Sequence, residues 1–353
     1  MLLESIDIVL PIIWAMCNAS LMESHLPVRQ KEAIITPIVK KPNLDPDETK
    51  SYRPISNLSF ISKVIERIVS EQVREYLIKS DLMPPLQSAY RPGHSTETAL
   101  LKVISDIIDA ADSQKVTLLS LLDMSAAFDT VDHQILLKRL EVSYGIGGAV
   151  LGWFSSFLSG RRQVVAFAGE RSDSSQLICG VPQGSVLGPL LFVLYAADVM
   201  EIARSHGVNI HAYADDLQTY VSCEAVNQES ATALLLNGIA EVDQWMTSNR
   251  LKLNAEKTEF IWIGTRQQLV KISRHPVTVG GKAVAPTQSV RDLGVLLDDQ
   301  LTMDIHARSI VRSCFYQLRQ LRSVQRSLTF EARHTILTAT ATLSESCSMA
   351  RHW

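Results

Sequence analysis

Tyr213-Ala214-Asp215-Asp216 lies between two short runs with β-strand character, and about ninety residues upstream an apolar run ends on Asp123. Two adjacent carboxylates and one distant carboxylate suit the chemistry of two-metal phosphoryl transfer. There, one ion clamps the attacking oxygen and the other the leaving oxygen, roughly 3.5–4 Å apart. Mg²⁺ prefers carboxylate and phosphate oxygens, which makes aspartates apt ligands. An Asp-Asp pair taken alone reads more simply as a turn, because Asp hydrogen-bonds its own backbone there. The rest of the chain decides between the two.

The elements that must position these groups follow from periodicity. Val116–Leu122 is apolar apart from Thr117 and Ser120, as in a strand buried on both faces, and its end presents Asp123. Val208–Tyr213 and Leu217–Val221 read as a hairpin with Asp215-Asp216 near its tip. Residues 1–26 are expected to be helical, with the apolar run Ile8–Cys17 buried, and residues 33–60 extended or irregular. Helical spacing marks Ile61–Ile78, then a helix capped by Ser95 or Thr96, and Ala231–Met246. Asp129 is expected to cap a helix over Val131–Leu140. Gly180–Tyr195 reads as a loop feeding a helix, Phe260–Ile263 as a strand, Val290–Leu297 as a hairpin and Ile305–Val324 as a helix. The mixed order predicts an α+β fold with a split-βαβ-like antiparallel sheet and helices on one face.

Bulk properties narrow the class. The 353 residues are 46% hydrophobic and 20% charged, with net charge −3, so no global basic field marks a nucleic-acid binder and any such contact is local. Five scattered cysteines without a C-x-x-C pair argue against a disulfide framework or structural zinc site. Ile8–Cys17 contains Pro11, is too short to span a bilayer and lacks a basic leader region. No membrane contact is expected, and a nuclear or cytoplasmic location is.

Seven segments then occur in order: Tyr52-Arg53-Pro54-Ile55-Ser56-Asn57-Leu58-Ser59, Gln87 to Thr96, Leu122-Asp123-Met124-Ser125-Ala126-Ala127-Phe128-Asp129, Gly180-Val181-Pro182-Gln183-Gly184-Ser185-Val186-Leu187-Gly188-Pro189, Tyr213-Ala214-Asp215-Asp216, Leu253-Asn254-Ala255-Glu256-Lys257-Thr258 and Leu293-Gly294-Val295-Leu296-Leu297-Asp298. Together they resemble the motifs of reverse transcriptases, in wording similar to the non-LTR (LINE-type) retrotransposon enzymes of the jockey and CR1 kind, across roughly residues 15–335. The resemblance implies a right-hand polymerase fold. Fingers would occupy approximately 27–115 and 135–178, the palm approximately 116–134 and 179–300, after an N-terminal helical extension over 1–26. A partial thumb with a divergent tail would follow over 301–353.

It further implies an RNA-directed DNA polymerase that adds dNTPs to a primer 3′-OH on an RNA template, at a DNA primer or target. Asp123, Asp215 and Asp216 would hold two Mg²⁺ ions, or Mn²⁺ in their place. Phe128 matches the position that tests the sugar, where a ring would collide with a 2′-OH. Gln183 and Gly184 resemble residues lining the nascent base pair, and Arg53 the arginine gripping the triphosphate. Lys257 resembles a lysine beside the departing pyrophosphate, with a solvated loop residue as the competing reading; Arg91 either contacts template phosphates or keeps a loop soluble.

Arg308, Arg312, Arg319, Arg322 and Arg326 share one stripe of the last helix, set opposite an apolar stripe of Ile305, Val311, Cys314, Phe315, Leu318 and Leu321. Such a stripe either tracks duplex phosphates or is a solvated face. Nothing resembles the family's endonuclease or its downstream Cys/His region, and the pattern fades after about Thr338, so a fragment is expected. Alternatives are a catalytically idle or host-recruited nucleic-acid-binding remnant, and a group II intron or retron-type enzyme.

Overall fold

The computed structural model describes residues 6–41, 44–324, 329–332 and 334–335. The first elements are α1 (Ile6–Met22), β1 (Glu32–Val39), β2 (Tyr52–Asn57), α2 (Phe60–Lys79), α3 (Thr96–Asp112) and β3 (Val116–Leu122). Next come α4 (His133–Val142), α5 (Gly148–Leu158), β4 (Arg162–Phe167), β5 (Glu170–Arg171), β6 (Ser175–Gln176), α6 (Gly188–Ala196) and α7 (Asp198–Ser205). Then follow β7 (Asn209–Tyr213), β8 (Asp216–Cys223), α8 (Gln228–Ser248), β9 (Glu259–Ile263) and α9 (Arg266–Leu269). The last are β10 (Val277–Val279), β11 (Lys282–Val284), β12 (Ser289–Asp292), β13 (Val295–Asp298) and α10 (Asp304–Val324). Contacts divide the chain into two compact units: Met1–Tyr90 with Met124–Val199 and Asp243–Lys252, and Arg91–Asp123 with Met200–Val242 and Leu253–Trp353.

In the first unit, β1 pairs antiparallel with β2 and parallel with β4, which carries β5 and β6. Ser59 caps α2 by accepting the Ser62 amide, and Ile65, Val69, Val73 and Leu77 bury one face at helical spacing. Every described apolar side chain of α6 from Leu190 to Ala196 is buried, the mark of a helix enclosed by its surroundings.

Two expectations are corrected here. The helix after Asp129 starts at His133, and its cap is Asp132, whose Oδ1 accepts the Gln134 and Ile135 amides at 2.9 and 3.0 Å. The Val131 carbonyl accepts the Gly180 amide at 2.7 Å, which takes that residue out of the helical ladder and moves the start two residues on. Helix α1 forms as expected but is not buried: Ile8, Leu10, Ile12 and Trp14 are exposed, and only Cys17 and Ser20 are buried. Its apolar residues encircle the axis, so a single packed side cannot cover them all.

The second unit is built on a sheet of order β7-β8-β3-β9, antiparallel throughout. Central β3 is buried along nearly its whole length, as its apolar run predicts. Helix α3, held by a Ser95/Thr98 capping box, lays Ala99, Leu100, Val103 and Ile107 against Leu119, Tyr220, Ile261 and the β12–β13 hairpin residues Val290 and Leu297. Removing a core side chain such as Leu119 from this cluster costs about 2–5 kcal/mol. No helix among the described residues is long and apolar enough to cross a membrane.

Candidate active site

The carboxylates lie at matching strand ends of the second unit. Leu122 pairs with Leu217, so the next position in register sets Asp123 opposite Asp216, the first residue of β8. Tyr213 pairs with Asp216, leaving Ala214-Asp215 as the turn, with Ala214 in the left-handed region at φ 56°. Asp215 is thereby held at the tip while Asp123 and Asp216 stand side by side on neighbouring strands.

Asp123 is bracketed by the turn that carries Lys257 and by Asn254, a residue to which the sequence assigns no role of its own. Asn254 donates its side-chain amide to Asp123 Oδ2 at 3.0 Å and its backbone amide to the Asp123 carbonyl at 2.8 Å. The Lys257 ammonium lies 3.2 and 3.0 Å from the two carboxylate oxygens. Burial, then the charges of Asp215, Asp123 and Asp292, push the Asp216 carboxyl up to about 7, with Lys257 opposing. Asp292 is 3% exposed and pushed by burial to about 7; Gln218 donates to its Oδ1 at 2.8 Å.

Among the described residues no three His, Cys, Asp or Glu side chains already form a tight metal shell. The donor set nonetheless fits hard divalent cations: oxygen ligands, with negative charge in excess of the single lysine that opposes it.

The first unit holds Arg53, Phe128, Gln183 and Gly184, four of the residues expected to meet a nucleotide; Lys257 belongs to the second. The half-buried Phe128 stacks on Phe192 of α6 at 4.7 Å between centroids. Asp129 accepts the Gln183 side-chain amide on both oxygens, at 3.1 and 3.0 Å, which is its role in place of capping. The Gln183 carbonyl accepts the Ser56 amide at 2.6 Å, joining this loop to the strand that carries exposed Arg53. Gly184 has φ 107°, and a Cβ there would stand 2.8 Å from the Ser56 carbonyl oxygen, so only glycine lets the two backbones approach.

Arg91 is half-buried in the second unit, ahead of α3. Arg308, Arg312, Arg319 and Arg322 are exposed on α10, and Arg308 sits 3.7 Å from Asp304; Arg326 lies outside the described residues. No described residue of α10 is buried, and Val311, Phe315 and Leu318 are exposed. At about 100° per residue the arginines adjoin that apolar arc rather than oppose it.

Residues 39–297 match the family described as reverse transcriptase (RNA-dependent DNA polymerase). A probable RNA-directed DNA polymerase from transposon BS of Drosophila melanogaster is 29% identical over 310 residues, covering 86% of this chain and 33% of that protein. The corresponding protein of transposon X-element from the same organism is 32% identical over 297 residues, covering 83% and 32%. The RNA-directed DNA polymerase from its mobile element jockey is 29% identical over 299 residues, covering 83% and 32%. The chain thus spans about a third of the length of these relatives.

Among solved structures, truncated apo telomerase from Candida tropicalis superposes with TM-score 0.53 at 13% identity, covering 78% of this chain and 55% of that one. The telomerase of that organism in complex with a TWJ fragment of telomeric RNA gives 0.54 at 12%, covering 95% and 57%. Such identity speaks for the fold alone, which is of the right-hand polymerase class. With the family match spanning residues 39–297 and relatives drawn from mobile elements, the chain belongs to the reverse transcriptase family, of the non-LTR retrotransposon kind.

Proposed function

We propose that this chain carries the RNA-directed DNA polymerase centre of a retrotransposon, joining dNTPs to a primer 3′-OH along an RNA template at a DNA target. The observation that carries the proposal is the strand register that sets Asp123 opposite Asp216, with Asp215 in the adjoining turn. Two Mg²⁺ ions, or Mn²⁺, held by these three carboxylates would supply the charge neutralisation that phosphoryl transfer demands.

The chain's own side chains bind and orient. Arg53 offers a planar fork to the triphosphate. Phe128, braced by Phe192, excludes a 2′-OH, and Gln183, held by Asp129, lines the nascent base pair together with Gly184. Lys257 keeps Asp123 oriented and can give a proton to the departing pyrophosphate. Arg91 and the exposed Arg308, Arg312, Arg319 and Arg322 bind template and primer phosphates. The fingers, palm and thumb, at the boundaries expected from sequence, belong to this reading.

Primer extension on an RNA template with Mg²⁺ tests it. The chain should incorporate dNTPs, and Asp215→Asn should abolish incorporation while the fold survives. Incorporation by Asp215→Asn at the wild-type rate would refute the assignment.

A further inference from the structure

Helix α6 starts at Gly188, whose amide is accepted by the Ser185 hydroxyl at 2.9 Å, while Leu187 at the N-cap position supplies no side-chain acceptor. The first amides of a helix need partners from elsewhere. For the two amides just ahead of the helix, those of Val186 and Leu187, the partner comes from α2. Glu66 Oε2 accepts the Val186 amide at 2.8 Å and the Leu187 amide at 3.2 Å, while Oε1 accepts the Ser62 hydroxyl at 2.9 Å.

Glu66 is fully buried. Burial pushes the Glu66 carboxyl up, opposed by its hydrogen bonds and by the nearby Arg161 guanidinium, which is 1% exposed, donates from Nε to the Phe157 carbonyl at 2.6 Å and lies over the Phe157 ring. Burying two such charges contributes little net stability compared with apolar side chains of similar volume. Their place in the fold suggests another use. The Pro182–Gly188 loop is tied on its leading side by the Val181 amide to the Phe128 carbonyl at 2.8 Å, and by the Ser56 amide to Gln183. Glu66 ties its trailing side, two residues beyond Gly184.

We infer that Glu66 is a positioning residue for the incoming nucleotide: from α2 it fixes the loop that presents Gln183 and Gly184. The inference rests on the polymerase reading. It is tested by equilibrium dNTP binding to the protein on an RNA template with a dideoxy-terminated primer, where no chemistry occurs, alongside amide hydrogen exchange.

Glu66→Ala should weaken dNTP binding at least about tenfold while leaving primer–template affinity unchanged, and should speed exchange at Val186 and Leu187 but not in β3. Glu66→Gln keeps an acceptor for both amides and should stay within about threefold of wild type. Ser62→Ala removes only the hydroxyl that orients the carboxylate. It should give an intermediate loss, and it decides the matter if Glu66→Ala does not fold. Wild-type dNTP affinity in Glu66→Ala or in Ser62→Ala, or a loss in Glu66→Gln as deep as in Glu66→Ala, would overturn the inference. A wild-type complex that binds dNTP but does not extend a normal primer would sink the polymerase reading alone. A wild-type complex that binds no dNTP would sink both.

Discussion

The Lys257 ammonium sits 3.0 Å from Asp123 Oδ2, so the exposed lysine and the strand-end carboxylate form one unit with Asn254 bracketing the same oxygen. Lys257→Ala is expected to lower kcat about a hundredfold in single-nucleotide extension, the lower range for a positioned proton donor. An unchanged kcat would return Lys257 to the role of a solubilising residue.

The two aspartates near the start of α4 separate cleanly. Asp132→Ala removes the cap and is expected to cost about 1 kcal/mol in denaturant unfolding. Asp129→Ala should cost less than half of that, yet raise the KM for dNTP about tenfold by releasing Gln183, a charge-assisted contact. Asp129→Asn retains an acceptor and should lie close to wild type. Equal stability losses in both alanine variants would restore Asp129 as a cap.

Phe128→Val opens the space expected to exclude a 2′-OH. Ribonucleotide use relative to dNTP should rise at least about tenfold in competition assays. Lost stacking on Phe192 should destabilise the protein by roughly 0.5–1.5 kcal/mol beyond the area removed. If selectivity stayed put while stability fell, Phe128 would be packing alone.

Asp292 gives a pH signature. Burial holds its carboxyl protonated in the folded state up to about 7, whereas the unfolded chain ionises it near 4. The folded state binds the extra proton across that window, so the stabilising contribution is complete at low pH and is lost as pH rises toward 7. Asp292→Asn should therefore gain roughly 2–3 kcal/mol on wild type between pH 5 and pH 8, read by urea unfolding at both. A constant difference across that range would remove Asp292 from the account.

Arg312 and Arg319 are exposed on α10. Converting both to Glu should weaken primer–template binding and reduce the slope of log K against log salt by about two. A solvated face would leave the slope where it was.

Strong periodicities were readable from residues alone. The apolar run before Asp123 became a central strand, and the Asp215-Asp216 hairpin and the Ser95 cap stand where spacing put them. What eluded sequence reasoning depends on partners far along the chain. Whether Asp129 or Asp132 begins a helix is decided by Gly180, whose amide takes the Val131 carbonyl. Asn254 acquires meaning only once Asp123 lies beside it, and Glu66 looks like one more helix residue until Val186 and Leu187 arrive. The apolar residues of α1 and α10 signalled a helix correctly, but periodicity says nothing about whether a neighbour exists to cover them.

The pairing of Leu122 with Leu217 carries a consequence for how this sequence can drift. Exchanging one apolar residue for another of like size within β3 or β8 would leave Asp123 and Asp216 facing each other. Deleting a single codon from either strand would carry an aspartate to the opposite side of the sheet, because side chains alternate with every residue. A survey of tolerated changes should find these strands permissive in spelling and strict in length.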